Sequence, residues 1–340
     1  MTYEQLNTLE VWQKMPTITL DEMSSIKLMN RVDTKYVISE EYCMELLRRA
    51  VDKYSVQIID GVRACRYSTL YYDTDDLEMY TGHQNRKLTR QKIRTRCYKE
   101  SEQYFIEVKN KTNKGRTKKK RIEIPVDNLM GFVDNSEAVS FIEPLARYNI
   151  KSLTPAIATR FVRITIVNPE FTERITIDLS LEFTDLRSGT TGKIEGMAII
   201  EIKQNGNIQS KAKEILSELR VKPMRISKYC LGTALTVEGI KRNRMLQKMR
   251  NIEKRIGYNK IVITNKIEPN TCCRRNLFSI ISSPSYLSDN WADANITEPN
   301  KYMYGAYPQP VIITIAPTKR RTPPMVIITF IILFIIFICR

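Results

Sequence analysis

The sequence predicts an antiparallel β-fold, either a barrel or a sandwich, with a few helices beside it. Eight runs of strand-forming residues follow one another with short connections, at 31–38, 63–73, 86–98, 103–111, 118–125, 156–167, 173–183 and 196–203. Within these runs apolar and ionic residues alternate, which is the pattern of a strand with one buried face. Helix signals are few by comparison, so we expect the helices to flank the sheet.

The ionic positions of these strands are mostly cationic. Residues 86–121 hold 15 Lys and Arg but only 3 acids. Side chains two apart on a strand share a face, so Arg90, Lys92, Arg94 and Arg96 point the same way. A solvent-exposed face of a sheet normally carries both positive and negative side chains, because like charges opposite each other repel. One sign of charge on strand after strand therefore predicts a polyanion site, inside the barrel if the sheet closes.

Phosphate is the anion that these faces favour. Sheets that bind bases carry aromatic side chains, and here the ionic faces offer only Tyr98 and Phe161, so we expect no nucleic-acid partner. No P-loop, dinucleotide-binding or protein-kinase signature occurs. The acids on the same faces either hold a divalent metal or pair with neighbouring cations; they are Glu107, Glu123, Asp178 and Glu201.

Composition excludes several other classes of protein. Lys and Arg number 54 against 37 Asp and Glu, which gives a formal net charge of +17. The single histidine, His83, excludes sites built from several histidines, and we assign it no role. The seven cysteines are scattered and form no CxxC pair. We therefore expect reduced cysteines and a cytoplasmic protein.

Three helices are predicted. Ser39 and Ser210 each precede an apolar stripe at helical spacing and are expected to cap their helices. The third helix, over 241–257, carries seven cations around an apolar stripe. This helix either rests on an anionic membrane surface or packs on the domain with its basic face in water.

The chain is expected to divide near residue 258. Residues 1–258 hold the predicted strands and helices, whereas the remainder contains 8 of the 14 prolines and few regular patterns. We interpret 259–324 as a linker or a poorly ordered segment. Residues 325–339 form an apolar tail, shorter than the roughly 20 residues of a membrane span. The tail is either a short anchor at the cytoplasmic face of a membrane, a buried strand, or an irregular end of the sequence.

Eight short motifs occur in the order in which a known family has them. They are RVDTKY (31–36), STLYYDT (68–74), KIRTRCY (92–98), FIEVKNKTNKG (105–115), KKR (119–121), RITID (174–178), AIIEIK (198–203) and RISKY (225–229). Over about residues 20–258 the chain resembles the polyphosphate polymerase domain of the vacuolar transporter chaperone (VTC) complex, a triphosphate tunnel metalloenzyme with the CYTH-like fold. The resemblance implies an α+β fold, in which an eight-stranded antiparallel β-barrel with flanking helices encloses a tunnel.

The resemblance also implies an ATP-dependent polyphosphate polymerase. Such enzymes transfer the γ-phosphate of ATP to a growing chain of inorganic polyphosphate, with Mn²⁺ or Mg²⁺. Carried over by motif, the residues acting on the reacting phosphates would be Lys35, Arg94, Arg96, Lys109, Arg163, Arg174 and Lys228. Those binding the rest of the substrate would be Lys92, Lys119, Arg121, Phe161, Lys203, Arg225 and Ser227. Glu201 would be the metal ligand.

The chain departs from the family pattern at two places. Phe161 stands where the family often has tyrosine, so this position offers no hydroxyl to a substrate. The first strand reads RVDTK, whereas hydrolytic members of the superfamily begin with ExExK. Fewer acids leave room for more phosphate, which favours the polymerase over a metal-dependent triphosphatase of the same fold. A non-catalytic polyanion-binding module is the third alternative.

Overall fold

The computed structural model describes residues 1–24 and 31–264. Its β-strands are β1 (Thr17–Thr19), β2 (Arg31–Ser39), β3 (Ser55–Ile58), β4 (Ala64–Asp73), β5 (Arg90–Tyr98), β6 (Gln103–Lys111), β7 (Thr117–Glu123), β8 (Thr154–Val167), β9 (Glu173–Asp185), β10 (Thr191–Ile194), β11 (Met197–Asn205) and β12 (Ile261–Thr264). Its α-helices are α1 (Tyr3–Asn7), α2 (Leu20–Ser24), α3 (Glu40–Ala50), α4 (Glu78–Gln84), α5 (Ser136–Ile142), α6 (Lys211–Glu218), α7 (Lys228–Thr236) and α8 (Asn243–Ile256).

Eight long strands form one curled antiparallel sheet in the order β2–β11–β9–β8–β4–β5–β6–β7. These are the eight strands that the sequence predicts, and the curled half-barrel with flanking helices confirms the predicted fold class. Within the described residues β2 and β7 do not pair with each other, so the sheet is open along this seam.

Four short strands, which were not predicted, extend the sheet. β1 pairs with β3 and β3 with the end of β8, while β10 pairs with both β9 and β12. β12 lies inside the segment that we interpreted as a linker, so the sheet continues past the predicted boundary at residue 258. The rest of that segment and the apolar tail at 325–339 lie outside the described residues.

Apolar side chains cover the convex face of the sheet. On β8, β9 and β11, the fully buried Ile164, Ile177 and Ile200 belong to the same cluster as the buried residues of α3 and α6. On β5 and β6, Ile93 and Ile106 join a second cluster with residues of α4, α5, α7 and α8. Burial of this apolar surface is the main stabilising term for the fold, at about 25 cal/mol per Å². The ionic side chains are left on the concave face.

Both predicted serine caps are present. The Ser39 hydroxyl accepts a hydrogen bond from the backbone N–H of Tyr42 at 3.2 Å, and the Ser210 hydroxyl accepts one from Lys213 at 3.1 Å. Each satisfies an N–H group that the first turn of a helix leaves without an internal partner.

The basic helix α8 packs on the domain. Its apolar side chains Met245, Ile252 and Ile256 are buried in the core, and Arg255 donates to the carbonyl of Val37 on β2. The apolar stripe of α8 is therefore unavailable for a membrane surface. Across 1–24 and 31–264, no helix is both long and apolar enough to cross a membrane.

Helix α7 was not predicted, because it is apolar on nearly all sides. It packs on β9 and β8 so closely that a Cβ at Gly232 would lie 2.5 Å from the ring of Phe183. The Ser227 hydroxyl caps this helix by accepting from the N–H of Cys230 at 3.3 Å. The docking of α7 therefore fixes Ser227 and Lys228, at its N-terminus, against the concave face.

Candidate active site

The concave face of the sheet lines one cavity of about 670 Å³. Among residues 1–24 and 31–264, fourteen Lys and Arg side chains line it, against two acids, Asp33 and Glu201. The cationic residues are Arg31, Lys35, Arg90, Lys92, Arg94, Arg96, Lys109, Lys111, Lys119, Arg121, Arg163, Arg174, Lys203 and Lys228. A cleft lined by one sign of charge focuses the field and attracts counter-ions, so this cavity favours anions.

The wall formed by β5, β6 and β7 sets cations directly opposite one another. Lys92 pairs across with Lys109, and Lys109 with Lys119, so three lysines form one row. In the adjacent row Glu107 lies between Arg94 and Arg121. Like charges at opposed positions destabilise a sheet. The lysine row is therefore a local electrostatic cost to the free protein.

Glu107 neutralises part of this wall. It is fully buried, and Arg94 donates to its Oε2 from Nε at 2.7 Å and from Nη2 at 2.5 Å, while Lys119 pairs with Oε1. Burial alone would raise the pKa of Glu107, but the charges of Arg94, Arg96 and Lys119 hold it well below its usual value. Glu107 therefore stays ionised and orients two of the cations that line the cavity.

Lys109 has no such partner. In the described part of the chain, no acid lies within ion-pair distance of its ammonium group, and the ion pairs around it join Glu107 to Arg94 and Lys119. The charge of Arg94, followed by burial, lowers the pKa of Lys109 to about 6. A bound anion would restore the charged form of this lysine. Lys109 therefore marks a part of the cavity that lacks negative charge.

The opposite wall, formed by β2, β11 and β9, gives both of its lysines an acid partner. Lys35 places Nζ 2.5 Å from one oxygen of Glu201, and Lys203 places Nζ 3.1 Å from the other. Lys203 also donates to the hydroxyl of Thr176 at 3.0 Å. Burial would raise the pKa of Glu201, but Lys203 and Lys35 hold it well below its usual value. Burial in turn lowers the pKa of Lys203 to about 8.

A second balanced group joins β8 and β9 to α7. Arg163 contacts Asp178 with both arms, Nε to Oδ1 at 2.6 Å and Nη2 to Oδ2 at 2.9 Å, and Lys228 pairs with the same carboxylate. The ring of Phe161 lies beneath both cations, with its centroid 5.2 Å from Cζ of Arg163 and 4.4 Å from Nζ of Lys228. Such cation–π contacts, together with the carboxylate, fix both side chains at the cavity wall.

The structure brings thirteen of the fifteen predicted site residues to the cavity. They are Lys35, Lys92, Arg94, Arg96, Lys109, Lys119, Arg121, Arg163, Arg174, Glu201, Lys203, Ser227 and Lys228. Strand alternation places Lys119 on the cavity face of β7, and its neighbour Lys120 does not line the cavity. The roles assigned to these residues stay predictions.

Phe161 and Arg225 do not line the cavity. Phe161 is only 1 % exposed, because it stacks under Tyr67, with ring centroids 5.3 Å apart, and supports Arg163 and Lys228 from below. It therefore holds other residues in position and does not itself contact a ligand in the cavity. The Arg225 side chain is exposed, and its charge acts near Lys111 at the rim.

Sequence reasoning missed several residues of the cavity, of which Tyr71 and His83 are two. Tyr71 lines it and accepts a hydrogen bond from Nη1 of Arg94 at 3.2 Å. Burial raises the pKa of the phenol, but Arg94 and Lys92 outweigh it and leave a net lowering. His83 on α4 also lines the cavity, and burial beside Lys92 and Arg90 lowers its pKa to about 3. The two-residue period of the STLYYDT motif was a usable signal for Tyr71, whereas nothing local indicated His83.

The triphosphate tunnel fold implies a divalent metal, and the donor set fits one only in part. Among the described residues, no three His, Cys, Asp or Glu side chains group closely enough to hold a metal ion. Glu201 is the one carboxylate deep in the cavity, and two lysines already contact it. Mg²⁺ typically binds through one or two carboxylates, with substrate phosphates and water as further ligands. Glu201 therefore fits a metal ion whose other ligands are phosphate oxygens of the substrate.

A comparison with known families agrees with this geometry. The family description "VTC domain" matches residues 30–237, which is more than half of the chain. The chain belongs to the VTC domain family. This assignment supports a polyphosphate-related tunnel enzyme that acts on a nucleoside triphosphate and polyphosphate. No curated protein matches the chain.

Solved structures similar to this VTC domain are distant. A candidate adenylate cyclase from Bacillus halodurans is 15 % identical with a TM-score of 0.39, over 58 % of this chain and 96 % of that one. A candidate adenylyl cyclase from Hippeastrum, described as having a dominant triphosphatase activity, is 11 % identical with a TM-score of 0.38, over 62 % and 98 %. A candidate adenylate cyclase from Vibrio parahaemolyticus is 12 % identical with a TM-score of 0.35, over 58 % and 94 %. These similarities carry no argument about activity.

Proposed function

We propose that this VTC domain is an ATP-dependent polyphosphate polymerase, which transfers the γ-phosphate of ATP to the end of an inorganic polyphosphate chain inside the cavity. The observation that carries the proposal is the row of Lys92, Lys109 and Lys119. These lysines face a cavity with fourteen cations and two acids, and Lys109 has no acid partner in the described chain. A chain of phosphates supplies the missing charge continuously along such a wall, which a single small anion does not do.

Phosphoryl transfer depends on alignment and on neutralising charge rather than on covalent catalysis. Arg94 and Arg163 are each held by a carboxylate, so their guanidinium groups are positioned before substrate enters. Fixed cations of this kind stabilise charge that develops on the transferred phosphoryl group. The lysine row would hold the chain, and Arg94, Arg163 and Lys228 would hold the reacting phosphates.

Glu201 would hold the metal, Mn²⁺ or Mg²⁺, together with phosphate oxygens. When bound, the metal would neutralise charge on the phosphates and orient them. Binding it requires Lys35 and Lys203 to turn from the Glu201 carboxylate toward phosphate oxygens. Both ammonium groups lie within 3.1 Å of the carboxylate, on flexible side chains that can rotate.

Transfer to phosphate fits this site better than hydrolysis. Three carboxylates that pair with cations of the cavity, Glu107, Asp178 and Glu201, have pKa values held well below their usual range, because cations outweigh the effect of burial. Carboxylates this acidic are weak general bases for activating water. A terminal phosphate oxygen is already ionised and needs no base. On the first strand, Asp33 is tied to Arg31, with 2.7 Å between Nε and Oδ1.

The deciding experiment incubates the full chain with ATP and Mn²⁺ and resolves the products on a gel. Polyphosphate ladders with matching release of ADP are expected. Free phosphate without a ladder would identify a triphosphatase instead. Binding of polyphosphate with neither product would identify a non-catalytic module. The substitution Lys254→Gln, on the exposed side of α8, is the matched charge control and should leave the products unchanged.

A further inference from the structure

A second group of cations lies outside the cavity, on the hairpin that joins β6 to β7. Lys114 and Arg116 project from its turn, and Lys118 and Lys120 lie on the face of β7 that points away from the cavity. All four are exposed, and residues 112–120 contain no acid. We call these four residues the hairpin cations.

The turn that carries them is well defined. The N–H of Thr112 donates to the carbonyl of Arg116 at 2.8 Å, and the N–H of Gly115 donates to the carbonyl of Thr112 at 3.1 Å. Gly115 has a φ of +80°, which a glycine adopts without strain. Lys114 and Arg116 are therefore presented on a closed turn, on either side of Gly115.

The hairpin cations make no ion pair with any acid in the described chain. The cations of α8 differ, because three of them donate to backbone carbonyls: Arg244 to Gln84, Lys248 to Arg225 and Arg255 to Val37. Those α8 side chains have structural partners, whereas the side chains of the hairpin cations have none among the described residues. A cluster of one sign with no internal partner is a candidate surface for an external anion.

The hairpin begins where the cavity ends. Lys111 and Thr117 both line the cavity and lie directly opposite each other as the last paired residues before the turn. The pair of Lys109 on β6 and Lys119 on β7, which belongs to the lysine row, lies two positions further from the turn. A phosphate chain that leaves the lysine row along β6 and β7 therefore passes Lys111 and Thr117 and then reaches the turn with its two cations.

Edge protection explains only part of this arrangement. β7 is an edge strand, and lysines on an edge discourage pairing with another sheet. That accounts for Lys118 and Lys120, which lie on the strand. It does not account for Lys114 and Arg116, because they lie in the turn beyond the last pair of the ladder.

We propose that the hairpin cations form an external binding site for the polyphosphate chain, at the mouth of the cavity lined by Lys111 and Thr117. The site rests on the proposed function, because it takes the chain that the cavity would hold. An inorganic polyanion fits better than other macromolecules. From 112 to 121 there is no aromatic side chain to stack a base and no apolar side chain to enter a membrane.

Chain length is the variable that tests this site. We would compare the wild-type full chain with K114Q/R116Q/K118Q/K120Q, using inorganic triphosphate and long-chain polyphosphate as separate probes. Long-chain affinity should fall about tenfold in the variant, because four exposed contacts, each worth roughly a factor of two, multiply. Triphosphate affinity should stay within about twofold, because a short ligand ends inside the cavity.

A matched variant controls for net charge. K53Q/R220Q/K254Q/K260Q removes four exposed cations from other parts of the surface and should bind both probes as the wild type does. Thermal unfolding of both variants checks that each is folded. The slope of log affinity against log salt should fall by about one unit for each phosphate that the hairpin variant no longer binds, and only with the long chain.

Three results would overturn the external site. They are unchanged long-chain affinity in the hairpin variant, an equal loss for both probes, and an equal loss in the control variant. Anionic vesicles that bind the wild type but not the hairpin variant, with polyphosphate binding unchanged, would assign the hairpin to a membrane instead. The proposed function fails separately, if the wild type binds both probes yet makes no polyphosphate from ATP.

Discussion

The two walls of the cavity handle charge in opposite ways. On the wall of β2, β11 and β9, Glu201 lies between Lys35 and Lys203 and contacts both. On the wall of β5, β6 and β7, the row of Lys92, Lys109 and Lys119 contains no acid. We call the first wall balanced because Glu201 contacts both of its lysines, and the second unbalanced because Lys109 has no acid partner in the described chain.

This difference assigns different tasks to the two walls. A balanced wall holds its side chains in fixed positions, which suits the alignment of a metal and reacting phosphates. An unbalanced wall is stabilised when an anion binds, wherever along the wall the anion lies. Such a wall suits a phosphate chain that can bind in several alignments. The comparison therefore predicts that changes in the balanced wall alter catalysis, while changes in the lysine row alter binding and stability.

Glu201→Gln should produce the largest effect. The change keeps the shape of the side chain but removes the charge that a divalent metal needs, so synthesis should fall by about 100-fold or more. Polyphosphate binding should stay within about twofold, because the carboxylate repels phosphate and its two lysines remain. Product formation and chain affinity, measured on the same preparation, check the two halves of this prediction. Full turnover in the variant would remove Glu201 from the metal site.

Lys109→Met separates binding from stability and should have the next largest effect. Removing this ammonium group should weaken polyphosphate binding about tenfold, because it lies in the middle of the lysine row and has no acid partner in the described chain. The free protein should become more stable, and each 1 kcal/mol added to the free energy of unfolding raises Tm by roughly 2–4 °C. Calorimetric unfolding without ligand measures this directly.

The matched change in the other wall is Lys203→Met. It leaves Glu201 with one lysine fewer and Thr176 without its donor, so Tm should fall rather than rise. Opposite signs for the two lysines would support the contrast between the walls. A loss of stability in both variants would mean that the lysine row is already compensated in the free protein.

The alternation of residues was sufficient to predict both walls. Period-two alternation put Arg94 and Arg96 on one face of β5 and Lys119 with Arg121 on one face of β7, and the strands lie where the runs predict. Pairing register, however, depends on contacts between distant segments. The opposition of Lys92 and Lys109, and the pairing of Glu201 with Lys35, follow from the register of whole strands and could not be read from local sequence.

Tertiary packing explains the two misplaced residues and the missed histidine. Alternation correctly put Phe161 on the face of Arg163, but Tyr67 from β4 covers it. Arg225 lies in an irregular segment, where no period applies. His83 reaches the cavity because α4 packs on β5. No sequence motif predicts this contact between the two elements.

Proton uptake on binding is the smallest and most specific expected effect of the lysine row. In the free protein the pKa of Lys109 is about 6, below its usual 10.5, because of Arg94 and burial. The unfolded chain therefore binds more protons between these values, so this lysine makes the free fold more stable as pH rises from 6. Bound triphosphate should raise the pKa again, so binding at pH 7.5 should take up as much as about one proton and weaken as pH rises above 6. Titration calorimetry in two buffers of different ionisation enthalpy counts the protons. Lys109→Met should abolish this part of the uptake, while Lys203→Met should retain it; equal uptake in the wild type and Lys109→Met would place the titrating group elsewhere.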